Sequence, residues 1–318
     1  MICGSGRSLF FNPGFITETP YCRYRPFNNK TLVFFYLLSF GFSLIILGLF
    51  KKVILADSIA PYVDEIFILG PENIVWAWLG AWLFGFQIYF DFSGYSDIAI
   101  GSAYLLGIRL PWNFRTPYLS AGPREFWQRW HITLSTWIRD YLYIPLGGRH
   151  KGVVRSGIIV IATMIIAGLW HGADVTFLIW GFLWGVYIYL GRLVNKNPIP
   201  RFFATIGNLT ITTALWVLFR ANDTAQALSY YKIMFGVKAG EKSPATFYEE
   251  RNMLLILISF SIILMVFHII ENRLLSKNIY YQLKRFRGAF LNGLLIMLGF
   301  TILMLQQQVI NPFIYFRF

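Results

Sequence analysis

Residues 74–106 read IVWAWLGAWLFGFQIYFDFSGYSDIAIGSAYLL, an apolar and aromatic run whose middle carries Asp91, Ser93, Ser96 and Asp97. A helix needs about 20 apolar residues to cross the hydrocarbon core. This run exceeds that length, so it is expected to be kinked, re-entrant or built of two packed pieces, with its polar centre turned toward protein rather than lipid. Working outward, further candidate spans lie near 31–50, 156–170, 174–191, 203–219, 252–270 and 289–310. The expectation is therefore an all-α, polytopic membrane protein with about seven membrane spans. The 156–170 run is short for a full crossing and ends in Gly168-Leu169-Trp170-His171-Gly172, which suggests a broken helix.

Composition agrees. In 318 residues, 56% are hydrophobic, 19% aromatic and 14% charged, and the mean hydropathy is +0.54, outside the balance of a soluble domain. The formal net charge of +13 raises nucleic acid as a partner, but the basic residues cluster between apolar runs rather than on one polar surface, which argues for membrane lipid and against nucleic acid. Arg109, Arg115, Arg124, Arg129, Arg139, Arg149, Lys151 and Arg155 outnumber Glu125 and Asp140 between 109 and 155, which places that segment in the cytoplasm. The same alternation puts the Arg192/Lys196/Arg201 and Arg273–Arg287 loops there too, and 221–251 and the carboxyl end outside. Cys3 and Cys22 have no CxxC or Cys/His ligand spacing, so no zinc site or disulfide framework is indicated. Residues 1–30 lack the apolar core of a signal peptide.

From Pro123 to Asp140 the chain runs PREFWQRWHITLSTWIRD, with proline at a good first-turn position. Phe126/Trp127, Trp130, Leu134, Trp137/Ile138 and Tyr141 recur at helical spacing, and Gln128, His131 and Ser135 share an adjoining face. This predicts an amphipathic or re-entrant helix near 123–142 that lies against or dips into the membrane. It is either an interfacial anchor with His131 a mere polar contact, or part of a site. His171 ends an apolar run between Gly168 and Gly172, which permit close backbone approach. A neutral histidine at membrane depth can line a polar cavity and take a proton from a hydroxyl, or can bond helix to helix. Asp91 and Asp97 are costly in the membrane and are expected to shape a polar cavity, with Ser93 and Asp97 an i,i+4 patch. His150 and His268 read as structural. No P-loop, GxGxxG, GxSxG or HExxH pattern occurs, so nucleotide-driven and serine-hydrolase chemistry have no support.

The string REFWQRWHITLSTWIRDYLYIPLGG (124–148), followed by LWHGA (169–173), closely resembles the membrane-bound O-acyltransferase family, and within it the bacterial alginate O-acetylase branch. YFDFSGYSD (89–97) and the closing FIYF (313–316) are similar to further segments of that branch. The resemblance covers roughly 31–318, read as a single transmembrane domain after an atypical amino-terminal segment, 1–30. It implies acetyl transfer from a cytoplasmic thioester, acetyl-CoA being a possible donor, toward an exported polysaccharide acceptor such as alginate. It also implies a place in the cell inner membrane, an extracytoplasmic acetyltransferase partner, and a tunnel joining the two sides. By the same resemblance His171 matches the essential histidine and His131 the second motif histidine. Asp91, Asp97, Ser135 and Trp170 become candidate substrate-binding residues. His171 would serve as general base while His131 orients or polarises the acyl carbonyl. No metal and no tightly bound cofactor is expected.

Family members usually begin with several further spans that residues 1–30 do not resemble, so an amino-terminally truncated or frame-shifted product is expected. Two other readings stay open: a non-catalytic membrane component or inactive homologue, and an enzyme that moves D-alanine onto teichoic acid or acetyl onto peptidoglycan.

Overall fold

The computed structural model describes residues 30–148, 152–193, 199–240, 251–276 and 299. Segment 1–29, His150, the span expected at 289–310, most of the basic stretch to Arg287 and the closing FIYF lie outside these. Among the described residues the fold is helical throughout, with no strand.

Helix α1 (Lys30–Leu49) passes through a π-helical segment, Phe50–Ala56, into α2 (Asp57–Leu69). The long run at 74–106 forms one continuous helix, α3 (Ile74–Leu105), begun by Asn73, whose side chain accepts the Val75 and Trp76 N–H groups. It is not split into two pieces. Its polar centre faces protein as expected, with Asp91, Ser93, Ser96 and Asp97 all buried. Two glycine pairs explain how α1 comes so close: Gly41 faces Gly101 and Gly48 faces Gly94, each pair in backbone contact. Small residues two turns apart on both helices let antiparallel backbones touch.

After short helices α4 (Pro123–Trp127) and α5 (Ile132–Ile138), α6 (Val153–His171) and α7 (Val175–Leu193) form an antiparallel hairpin. Here too glycines face backbone: Gly168 meets the Phe177 carbonyl, Gly181 the Met164 carbonyl and Gly185 the Ile161 Cα. Of the break expected around Gly168–Gly172, Gly168 shows none and the chain leaves the helix only at Gly172. Helix α6 runs unbroken for 19 residues and stops at Gly172, where Asp174 accepts the Thr176 N–H to start α7. Helices α8 (Arg201–Arg220), α9 (Thr224–Met234) and α10 (Arg251–Ser276) complete the described chain.

Among the described residues four helical stretches are long and apolar enough to cross a membrane: Leu37–Leu69, Val153–His171, Val175–Leu193 and Arg201–Arg220. Helix α3 is long enough but is sheathed by its neighbours and carries its polar centre inward. The first stretch differs from the sequence expectation, which ended it at residue 50. Lys51, Lys52 and Asp57 look like a solvated boundary, yet all three are buried in ion pairs and the helix continues beyond them.

The single amphipathic helix expected over 123–142 is broken. Helix α4 ends at Trp127, and His131 adopts a left-handed backbone (φ 42°) before α5 begins. The cause lies outside the segment. Asn113 accepts the Ile132 N–H with its main-chain carbonyl (2.9 Å) and the Thr133 N–H with its side chain (3.2 Å), taking over the first donors of α5. Local periodicity contains no trace of a cap drawn from 20 residues away. The break separates Gln128, which is exposed, from His131, which is buried, so they share no face. It also sends Phe126 and Trp130 into the core, where Phe126 stacks between Trp184 (4.9 Å, 19°) and Trp130 (5.6 Å, 12°). Trp137 and Tyr141 are exposed on the protein surface and stack on each other at 5.5 Å.

Candidate active site

A cavity of about 100 Å³ lies where α3, the 130–131 turn, the end of α6, α7 and α8 converge. Each supplies a different kind of wall. Helix α3 contributes Ile88, Asp91 and Phe92; the turn contributes Trp130 and His131; α6 contributes Trp170 and His171; and α7 and α8 close it with Trp180, Trp216 and Phe219.

The two histidines, 40 positions apart in sequence, thus reach one chamber. His171 is held among rings: Trp180 edge-on at 5.5 Å (89°), Phe219 at 5.0 Å (75°) and Trp170 at 4.9 Å. His131 meets Phe92 edge-on at 4.7 Å (88°) and Trp170 at 6.1 Å. Trp170 therefore touches both imidazoles. Packing of this kind fixes ring orientation.

Asp91 is the charged wall. It is 1% exposed and its carboxylate lies 2.6 Å from the Lys52 Nζ, which also bonds Asp57 at 2.8 Å. Asp97 does not reach this chamber. It lines a smaller cavity with Lys51, Ser93, Ser96, Asn113 and Glu271. There Lys51 donates to Asp97 (2.7 Å) and to Glu271 (2.5 Å), Tyr89 donates to Glu271 (2.6 Å), and buried His268 sits 3.5 Å from the same carboxylate. Ser135 belongs to neither cavity, since its hydroxyl donates to the Trp130 carbonyl at 3.0 Å. Of the expected site residues, His131, His171, Asp91 and Trp170 converge; Asp97 and Ser135 do not.

Sequence reading missed Lys51, Lys52, Glu271 and Asn113. The two lysines and the glutamate carried a usable signal, because charges inside or beside apolar runs need partners of opposite sign, and Asp91 and Asp97 were already marked as such. Asn113 had none. Among the described residues no cluster of three or more His, Cys, Asp or Glu could hold a metal ion.

A sequence model of the membrane-bound O-acyltransferase family matches residues 9–235, most of the chain and every wall of the two-histidine cavity. The chain belongs to the membrane-bound O-acyltransferase family. It is therefore a multi-pass membrane protein, in keeping with its several apolar helices. Among its relatives, it is similar to the Probable alginate O-acetylase AlgI of Azotobacter vinelandii, at 45% identity over 194 residues, covering 59% of this chain and 38% of that one. It also resembles the Peptidoglycan O-acetyltransferase of Helicobacter pylori, at 38% identity over 209 residues, with 63% and 39% covered. The Teichoic acid D-alanyltransferase of Streptococcus thermophilus matches at 28% over 222 residues, with 60% and 52% covered. The chain spans well under two thirds of the length of these relatives.

Proposed function

We propose that this family member transfers acetyl groups from a thioester donor to a hydroxyl of an exported polysaccharide, with alginate as the first acceptor to test. The observation that carries the reading is the convergence of His131 and His171 on one aromatic-walled chamber between helices, with Trp170 in contact with both rings. The alginate O-acetylase names of relatives at 43–45% identity support the choice of acyl group and acceptor.

The chemistry needs a base, an activated carbonyl and little water. His171 takes the proton of the acceptor hydroxyl as its oxygen attacks the thioester carbonyl carbon. The carbon–sulfur bond then breaks, and the departing thiolate leaves with that proton as the free thiol. The indole and phenyl walls keep water, the competing nucleophile, away from the carbonyl. Asp91 and Trp170 line the space in which substrate lies, while Asp97 acts at a distance by joining α3 to the π-helical segment and Ser135 by bracing the turn that carries His131.

Acetyl-CoA on the cytoplasmic side is the proposed donor, and no tightly bound cofactor is required. An extracytoplasmic acetyltransferase would receive the acetyl group or present the sugar. The proposed setting is the cell inner membrane, with α3 and α10 adding crossings to the four apolar stretches, toward about seven in all. The peptidoglycan and teichoic acid relatives favour, as a second reading, the same chemistry with a different acyl group or acceptor.

The test is transfer of labelled acetyl from acetyl-CoA into alginate by membranes containing the chain, comparing wild type with His171→Ala at equal protein level. A loss of about 10²-fold or more in the variant supports the reading. Undiminished transfer removes His171 from the mechanism.

A further inference from the structure

We infer that Asn113 is a positioning residue that fixes the tautomer of His131, so that this histidine faces the substrate as a hydrogen-bond acceptor and not as a donor to the acyl carbonyl. The inference rests on the reading of His131 as part of the working cavity.

One donor at Asn113 admits no ambiguity. The Thr133 backbone N–H can only donate, and it points at the side-chain Oδ1 of Asn113 at 3.2 Å. That atom is therefore the amide oxygen; a flipped NH2 would set donor against donor. The Thr133 hydroxyl donates to the same oxygen at 2.9 Å. His131 Nδ1 lies 3.1 Å from it. Because the oxygen only accepts, Nδ1 carries the proton, and in the neutral ring Nε2 carries the lone pair. Asn113 lines the smaller cavity and His131 the larger, so the amide stands behind the ring and Nε2 is the nitrogen for the chamber that His171 shares.

The backbone reinforces the assignment. The left-handed conformation of His131 is costly for a residue with a side chain, and Asn113 holds the chain that follows it by taking the Ile132 N–H on its carbonyl as well as the Thr133 N–H on its side chain. A neutral His131 held this way cannot polarise a carbonyl by donation. It can accept a hydrogen bond from the attacking hydroxyl, orient it, and share its proton.

The experiment compares Asn113→Leu, Asn113→Asp and His131→Ala with wild type in the full chain, using labelled acetyl-CoA and alginate across a range of pH. Leucine removes the acceptor at similar volume. A mis-set tautomer is expected to lower kcat by about 10- to 10³-fold, with the KM for acetyl-CoA within about twofold. Aspartate still accepts from the same donors, so it keeps kcat within a few-fold, but its charge stabilises the imidazolium and moves the acidic limb of the rate profile to higher pH. The charged and titratable groups around the pair are Asp91 and His171 across the chamber, Arg129 two residues before, and Lys51, Asp97 and Glu271 on the far side of Asn113. All are unchanged in both variants.

Retention of more than half the rate in Asn113→Leu while His131→Ala is inactive overturns the inference and leaves the functional reading intact. So does an acidic limb in Asn113→Asp that superposes on wild type, a result that decides the matter if the leucine variant fails to accumulate. Full activity in His131→Ala instead overturns the reading of His131 itself.

Discussion

Lys52 Nζ lies 2.6 Å from the carboxylate of Asp91, and both side chains are almost wholly buried. This pair ties the π-helical segment after α1 to the wall of the histidine chamber. Taking one partner from a buried ion pair leaves an uncompensated charge, at a cost of about 3–5 kcal/mol, whereas neutralising both is far milder. Lys52→Met should therefore lower the thermal midpoint in detergent sharply, and adding Asp91→Asn should recover part of the loss, the rest falling on Asp57, the second carboxylate that Lys52 bonds. Equal midpoints for the single and double variants would show that the pair is not a unit.

The approach of α6 to α7 sets where His171 ends up. A Cβ at Gly168 meets the main-chain carbonyl of Phe177, which cannot step aside, whereas one at Gly172 meets the edge of the Phe177 ring at 2.6 Å, which can. Gly168→Ala is expected to cost at least about 2 kcal/mol and to cut acetyl transfer, with Gly172→Ala well below that. Thermal midpoints and transfer rates of the two variants, side by side, check the order; a reversed order would show that the hairpin is held elsewhere.

The helical class, the inward-facing polar centre of α3 and the two histidine segments that meet at the candidate site were legible in the sequence, because each is written in hydropathy or in a contiguous motif. What escaped was set by pairing across distance. Lys51 and Lys52 look like the end of a span, and become interior residues only when Asp91, Asp97 and Glu271 arrive from α3 and α10. The periodicity over 123–142 predicted one helix because the residue that breaks it, Asn113, lies outside the window. Ser135 fell beside His131 on a helical wheel, but the left-handed turn at His131 removed the wheel.

Glu125 ties α4 to α8 on the expected cytoplasmic face, bonding Arg201 at 2.8 Å, Arg129 at 2.7 Å and the Ala121 N–H at 2.8 Å. Burial works against its ionised form, but the Ala121 N–H and the two arginines outweigh it and hold the carboxyl below its usual value of 4.5. A depressed carboxylate contributes stability that is present above that usual value and lost as pH falls through the folded-state pKa. The group is a quarter exposed, so solvent screening limits the effect to about 1 kcal/mol or less. Glu125→Gln should thus lower the thermal midpoint slightly at neutral pH and converge with wild type as the solution is acidified below pH 4.5. A gap that widens on acidification would reverse the sign of this account.

Glu271 is the residue through which α10 grips the rest of the molecule, because Lys51 from the π-helical segment and Tyr89 from α3 both donate to its carboxylate. Glutamine keeps the shape but removes the charge, so Lys51 retains Asp97 alone as an anionic partner and the Tyr89 hydroxyl faces a weaker acceptor. Hydrogen bonds to a charged group are worth about 1.5–3 kcal/mol against about 1 for a neutral one. The loss falls on the α10 contact, not on α6 and α7, which pack through their own backbones. Amide hydrogen exchange should therefore quicken in α10 of Glu271→Gln by about 10-fold or more, while the α6–α7 hairpin exchanges as in wild type. Uniform quickening across all helices would mean that the buried ion cluster supports the whole bundle, and no change in α10 would mean that its apolar residues Leu257 and Leu264 suffice to hold it.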